Sequence, residues 1–134
     1  MFRELDPVTV FDALSNEPRA VLVDCRTAAE WQYTGTIDLS SIGKQTLHAK
    51  IVDGNGRPVP GFVEKIEAVV EKDTPIYVIC RIGGRSANAC RMLAAAGYTD
   101  LVNVTEGFEG RADDNGHRNT SEGWKFHNLP WTQS

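Results

Sequence analysis

The segment 80–86 contains the residue types most able to do chemistry in this chain. Cys80 directly follows the apolar run Ile76–Ile79, and a helical pattern begins near Ser86. A strand that passes through a glycine-containing loop into a helix N-terminus forms an anion-binding cradle, because backbone N–H groups and the helix dipole point at one spot. Helix N-termini and nearby arginines lower the pKa of a cysteine thiol from about 8.5 to roughly 3.5–7.5. The spacing therefore predicts that Cys80 is a partly ionised nucleophile in an anion-binding loop.

The local charge around Cys80 supports this hypothesis. The window 74–99 contains no Asp or Glu but three arginines, Arg81, Arg85 and Arg91, which give it a charge of +3. Since the whole chain carries −4, the remainder carries −7. The alternative is that Cys80 ends the strand as a small hydrophobic residue and that the arginines are solvated. The coincidence of strand, glycines, arginines and helix favours the nucleophile.

Strands and helices alternate along the chain and would place this loop at the edge of a sheet. The predicted strands cover residues 2–5, 20–23, 37–39, 76–79 and 101–104. Helices are predicted from Asp6-Pro7, from the capping box that starts at Thr27, over 62–71 and over 86–96, with one or two turns over 46–52. This order predicts an α/β domain with a largely parallel sheet. The loops after Val23, Ile79 and Val104 would then meet at its carboxyl edge.

Composition and charge limit the function further. A chain of 134 residues predicts one domain over 1–134, with a polar loop insertion at 110–123 and a C-terminal tail at 124–134. The net charge of −4 argues against nucleic-acid binding. The apolar runs are too short for a membrane span and no signal peptide is visible, so no membrane partner is expected. Three cysteines are too few for a disulfide framework and predict a reduced, cytoplasmic chain.

Two motifs resemble a known family. The segment 80–86, with Cys80, two glycines and Arg85, resembles the active-site loop of the rhodanese sulfurtransferases. Upstream, Asp24-Cys25-Arg26 and Glu30-Trp31 resemble the Asp-x-Arg and Glu-Trp/Tyr segment of that family, although Thr36 stands where the family usually has His. The resemblance implies the rhodanese-like fold, a five-stranded, mostly parallel sheet flanked by helices on both faces.

The resemblance also implies a two-step sulfurtransferase mechanism. Cys80 would take a sulfane sulfur from thiosulfate or a related small anionic donor, carry it as a persulfide, and pass it to a thiol or cyanide acceptor, or to a protein acceptor. Neither a metal nor an organic cofactor is implied. The implied substrate-binding residues are Arg81, Ile82, Gly83, Gly84, Arg85 and Ser86, with the two arginines holding the donor. Asp24, Arg26 and Glu30 would support the loop, with a pairing between Arg26 and Glu30.

The sequence leaves several alternatives open. A non-catalytic sulfur carrier or redox-sensing module would have the same fold. A phosphatase or arsenate reductase is disfavoured because four residues separate Cys80 from Arg85, whereas the related phosphatase loop has five. Ile82 replaces a lysine of the thiosulfate-specialised mammalian members, which bears on how well thiosulfate itself is used. Cys25 is either an inert core cysteine or a second thiol of the active site.

Overall fold

The structure is a computed structural model that describes residues 1–133. The strands in this range are β1 (Arg3–Leu5), β2 (Val21–Asp24), β3 (Thr36–Ile37), β4 (Leu47–His48), β5 (Ile76–Ile79), β6 (Leu101–Val104) and β7 (Trp131–Thr132). The helices are α1 (Pro7–Asn16), α2 (Ala28–Thr34), α3 (Phe62–Glu67) and α4 (Gly84–Ala95), with a 3₁₀ turn at Ser40–Ile42. None of these helices is long and apolar enough to cross a bilayer.

Five strands form one parallel sheet in the order β1-β6-β5-β2-β4. Its central strand is β5, in which Val78 lies between Val23 of β2 and Asn103 of β6. Because all five strands run the same way, the segments that follow β2, β5 and β6 meet at one edge. A second, two-stranded antiparallel sheet joins β3 to β7. The predicted α/β fold with a parallel sheet is confirmed.

Both faces of the main sheet are buried. Leu22 and Tyr77 belong to the core that contains Leu14 of α1, whereas Val23 and Val78 belong to the core on the opposite face. That second core also contains side chains of α3 and α4. Burying one large apolar side chain contributes about 1.5–3 kcal/mol. The central strand β5 is therefore an uninterrupted apolar run, because neither of its faces is exposed to solvent.

The edge strand of the main sheet differs from the sequence-based prediction. The third strand predicted over 37–39 is present as the shorter β3 (Thr36–Ile37) but lies outside the main sheet, and the helical turns predicted over 46–52 are wrong. Instead β4 extends the sheet, with His48 opposite Asp24, while Ile37 of β3 pairs with Trp131 of the tail. Gly35, at φ 95, lies against the Trp131 ring where a Cβ atom would collide. Short apolar runs carry too little local signal to show which distant strand they join.

Two helix boundaries also differ from the prediction. Helix α4 begins at Gly84 rather than Ser86, because Gly83 in the left-handed region acts as its N-cap. Helix α3 ends at Glu67 instead of continuing to 71. The earlier start of α4 matters for function, since it brings the first helical turn against the end of β5.

Candidate active site

Cys80 lies at the carboxyl end of β5, and the following loop encloses its sulfur. The residue is 1% exposed. Its Sγ accepts hydrogen bonds from the backbone N–H of Gly83 at 3.1 Å and of Ser86 at 3.3 Å. The Ser86 Oγ lies 3.2 Å from the same sulfur. Three polar groups that converge on one atom favour a negative charge there.

The N-terminus of α4 supplies these donors. The first N–H groups of a helix have no partner within the helix, and its dipole adds positive potential at that end. Gly83 adopts φ 109 and provides no side-chain cap, so the backbone amides are available to the Cys80 sulfur. A side chain at this position would be strained in that backbone conformation.

The surroundings of Cys80 hold the pKa of its thiol at about 5, below the ordinary value of 9.0. The interaction with the Cys25 thiol is the largest cause, and burial opposes it by disfavouring the charged form. The contacts with Ser86 and Gly83 lower the pKa further. Cys80 is therefore a thiolate at neutral pH, which is the nucleophilic form of the residue.

Cys25 is the neighbour of Cys80 on the adjacent strand. The pairing of β2 with β5 sets Asp24 opposite Ile79, and the Cys25 N–H donates to the Ile79 carbonyl at 3.0 Å. The pairing of the two strands thus continues by one residue beyond Asp24 and Ile79 and places Cys25 beside Cys80. The Cys25 thiol donates to the Ile79 carbonyl at 3.5 Å. The interaction with the neighbouring Cys80 sulfur, followed by burial, raises the pKa of the Cys25 thiol well above 9.0. Cys25 is therefore a buried core residue that also lies beside the active-site sulfur.

Glu30 anchors Arg85 to α2. The Arg85 Nη1 and Nη2 atoms donate to the two Glu30 carboxylate oxygens at 2.6 and 2.9 Å. Although burial opposes it, hydrogen bonding to Arg85 and to Thr27 lowers the pKa of Glu30 to about 2. Glu30 also closes the capping box with Thr27 that starts α2. The predicted pairing of Arg26 with Glu30 is wrong, because Arg85 takes both carboxylate oxygens.

Arg26 is instead a buried residue next to the site that bonds to several segments of the fold. Its Nε and Nη2 atoms donate to the Asp24 carboxylate, the latter at 2.8 Å, and both side chains are fully buried. The guanidinium also donates to Thr34 Oγ1 at 3.0 Å and to the Gly35 carbonyl at 2.9 Å. Its carbon lies 4.2 Å from the centre of the Phe108 ring. Arg26 therefore joins the end of β2, the end of α2 and the segment after β6.

The segment after β6 supports the loop from the other side. The Phe108 N–H donates to the Cys80 carbonyl at 2.8 Å, and the Glu109 N–H donates to the Arg81 carbonyl at 3.0 Å. Gly107, at φ 68, lies so close to Arg81 that a Cβ atom would collide with its carbonyl group. The Arg81 side chain pairs with Glu109 at 3.0 Å. Both arginines of the loop are thus already paired with carboxylates.

A family model described as a rhodanese-like domain matches residues 8–114. The chain belongs to the rhodanese-like family. The resemblance inferred from the Cys80 loop and the Asp24–Arg26 segment is thereby confirmed.

The chain is also similar to other proteins and solved structures. The crystal structure of Rv0390 from M. tuberculosis has a TM-score of 0.94 at 36% sequence identity, with 100% of both chains covered. The uncharacterized protein RP600 of Rickettsia prowazekii (strain Madrid E) is 33% identical over 114 residues, which are 84% of this chain and 82% of that protein. The polysulfide-sulfur transferase homodimer from Wolinella succinogenes has the same fold, with a TM-score of 0.68 at 18% identity over 99% of this chain and 80% of its own.

Asn103 is a site residue of this rhodanese-like domain that the sequence analysis missed. It lies in β6, accepts a hydrogen bond from the Ser86 hydroxyl and donates to the Gly83 carbonyl at 3.1 Å. It therefore fixes both residues whose N–H groups reach the Cys80 sulfur. The signal in the sequence that could have identified Asn103 is a single amide residue inside the apolar run 101–104, a run that is buried in the sheet.

An open pocket of about 460 Å³ borders the loop of the rhodanese-like domain. Ile82, Gly83 and Gly84 line it together with Arg111 and Glu122 of the predicted 110–123 insertion. Cys80 itself does not line this pocket. Within residues 1–133, no three His, Cys, Asp or Glu side chains are grouped to hold a metal ion. The insertion therefore lies beside the candidate site.

Proposed function

We propose that this rhodanese-like chain is a sulfurtransferase that moves a sulfane sulfur from thiosulfate or a related anionic donor to a thiol or cyanide acceptor. The observation that carries this proposal is the state of Cys80. Its thiol has a pKa of about 5, and its sulfur accepts two backbone N–H groups at the start of α4. Such a thiolate is a nucleophile in a site that also stabilises an anionic product.

In the first step the Cys80 thiolate attacks the outer sulfur of thiosulfate. The S–S bond of the donor breaks, and sulfite leaves with its electron pair. Cys80 then carries a persulfide whose terminal sulfur is anionic. The Gly83 and Ser86 N–H groups contact the Cys80 sulfur, and the positive end of the α4 dipole would stabilise the charge on the terminal sulfur.

In the second step a thiol or cyanide acceptor attacks the terminal sulfur. The sulfur–sulfur bond of the persulfide breaks, and its electron pair returns to Cys80 as the thiolate. The atoms and electrons balance without a metal or an organic cofactor. A protein thiol is an equally suitable acceptor, because the acceptor needs only to reach one sulfur atom.

Two arginines suit a small anionic donor. Arginine has five N–H donors, and Glu30 uses two of those of Arg85. The Arg81 side chain is 43% exposed beside Glu109, so it can meet an anion at the loop surface. The carboxylates hold these side chains in place but also offset their charge. We therefore assign them to orienting the donor rather than to strong anion binding.

The size of the loop supports sulfur transfer over phosphate chemistry. Cys80 is 1% exposed, and four residues separate it from Arg85. A single sulfur atom needs less room above the thiolate than a tetrahedral oxyanion does.

A sulfur-carrier or redox-sensing module remains the second candidate, since Cys25 beside Cys80 gives it a second thiol. We keep the cytoplasmic location, the absence of nucleic-acid or membrane partners and the single-domain organisation as predictions.

The test combines intact-mass measurement with a thiosulfate:cyanide assay on the parent, Cys80→Ser and Cys90→Ala. Cys90 is a buried thiol of α4 that the mechanism does not use, so its variant is the matched control. Turnover and sulfur loading should be lost in Cys80→Ser, because a hydroxyl cannot form the persulfide. Both should persist in Cys90→Ala. Turnover by a folded Cys80→Ser protein would refute the proposal.

A further inference from the structure

Cys25 and Cys80 are placed as a cross-strand pair. The last paired residues of β2 and β5 are Asp24 and Ile79, and the Cys25 N–H bonds to the Ile79 carbonyl. Neighbouring strands lie about 4.8 Å apart. Disulfides join residues whose Cα atoms are about 4.4–6.8 Å apart. The backbone spacing therefore lies within the range for a disulfide.

Both side chains also point to the same face of the sheet. Cys25 and Cys80 belong to the core cluster that contains Val23 and Val78, whereas Ile79 belongs to the opposite cluster. Because side chains alternate along a strand, residues two positions apart share a face. Cys25 is fully buried beside Cys80, whose sulfur the proposed reaction already engages. Its available reaction partner is the sulfur of Cys80.

We propose that Cys25 is a resolving thiol that attacks the Cys80 persulfide, releases sulfide and leaves a Cys25–Cys80 disulfide. This inference rests on the proposed function, since it requires the persulfide to form. It gives the protein a second outcome besides transfer to an acceptor. The persulfide is discharged as sulfide when no acceptor is present.

The step balances without an external oxidant or reductant. The Cys25 sulfur bonds to the inner sulfur of the persulfide, and the bond from that sulfur to the sulfane sulfur breaks. The sulfane sulfur leaves with the bonding electron pair and the Cys25 proton, as HS⁻. It is reduced to sulfide while the two cysteine sulfurs are oxidised to the disulfide. A dithiol reductant then returns both cysteines to thiols and permits another cycle.

The negative charge on Cys80 keeps the Cys25 thiol protonated until the persulfide forms. Its high pKa arises first from the interaction with the neighbouring Cys80 sulfur and then from burial, with the Cys80 charge adding to the effect, and its thiol donates to the Ile79 carbonyl at 3.5 Å. Persulfide formation moves that charge outward to the terminal sulfur. Fixed proximity on two hydrogen-bonded strands compensates for a weakly ionised thiol, because the attack is intramolecular.

The experiment loads the reduced protein with excess thiosulfate, or with polysulfide as a second donor, without cyanide or any added thiol. Released sulfide is measured over time, and acid-quenched samples are mapped by peptide mass. The variants are Cys25→Ser and Cys25→Ala, with Cys90→Ala as the matched loss of a buried thiol. Measurements on the parent alone test the disulfide, so the result does not depend on a variant folding.

We expect the parent and Cys90→Ala to release one sulfide per chain and to form a Cys25–Cys80 disulfide. Both Cys25 variants should retain the sulfane sulfur on Cys80 and release sulfide at least about tenfold more slowly. A parent that keeps its persulfide with Cys25 as a free thiol would overturn this inference and leave the sulfurtransferase proposal intact. A parent in which Cys80 accepts sulfur from neither donor would refute both.

Discussion

Replacing Ser86 by alanine should raise the pKa of Cys80. The Ser86 Oγ lies 3.2 Å from the Cys80 sulfur, and its contact is one cause of the low pKa. The variant removes this hydroxyl but keeps the Ser86 N–H, which lies 3.3 Å from the sulfur. It therefore removes one side-chain contact to the thiolate while the loop keeps its length and its backbone N–H groups.

The size of the change follows from the energy of that contact. A hydrogen bond to a charged group contributes about 1.5–3 kcal/mol. One pKa unit corresponds to about 1.4 kcal/mol, so a full hydrogen bond is worth roughly one to two units. The loss is smaller to the extent that the single Ser86 hydroxyl proton is donated to Asn103 instead. Losing a stabilising contact disfavours the thiolate, and the pKa moves upward from about 5. In both proteins the rate of sulfur loading should fall as the pH drops through the pKa, and this fall should start at a higher pH in the variant.

The measurement is a pH titration of the ultraviolet absorbance of the thiolate, corrected with Cys80→Ser. Alkylation rates over the same pH range provide a second readout. Ser15→Ala is the matched control, because it also removes a hydroxyl hydrogen bond, to Phe11 in α1. Circular dichroism checks folding, since the buried Asn103 loses a partner in Ser86→Ala. A parent whose titration midpoint lies near the ordinary pKa of a thiol would refute the reasoning. A Ser86→Ala variant whose midpoint equals that of the parent would also refute it.

Two further predictions concern the frame around the sulfur. Glu30→Gln should lower the free energy of unfolding by about 1–2 kcal/mol at neutral pH. Since the parent carboxylate has its pKa lowered to about 2, this difference should disappear as the pH falls from about 4.5 towards 2, as measured by urea unfolding. Inserting one residue between Gly83 and Gly84 should slow sulfur transfer at least about tenfold, equal to about 1.4 kcal/mol, because Ser86 moves away from Cys80. An insertion at Gly54, which has open space around it, is the control, and a folded Gly83 insertion variant with undiminished transfer would contradict the prediction.

The fold was predictable where local sequence and tertiary packing agree. The run Ile76–Ile79 is apolar throughout because it is the central strand, buried on both faces. The capping box at Thr27 fixes the start of α2 from four adjacent residues. In contrast, β4 has two residues, and its place depends on pairing with β2 across the chain. A long-range partner of this kind leaves no periodic pattern in a short segment.

The candidate site was predictable in its nucleophile and less so in its ion pairs. Cys80 stood out because strand, glycines and helix occur together within a few residues. The partners of the charged residues did not stand out in the sequence, because an arginine can pair with any carboxylate that the fold brings near it. Arg85 bonds to Glu30, which is 55 residues away in the chain. The sequence order instead suggested the local pair of Arg26 and Glu30.

These ion pairs change how the low pKa of Cys80 is explained. The basic window around Cys80 suggested that arginine charge stabilises the thiolate. In the structure, Arg85 is bonded to Glu30 and Arg81 is paired with Glu109, and the causes that lower the pKa are first the neighbouring Cys25 thiol and then the contacts with Ser86 and Gly83. Short-range donors in a buried loop act on one atom, whereas paired guanidinium groups mainly fix the position of the loop. The neutral donors thus stabilise the nucleophile, and the ion pairs hold those donors in place.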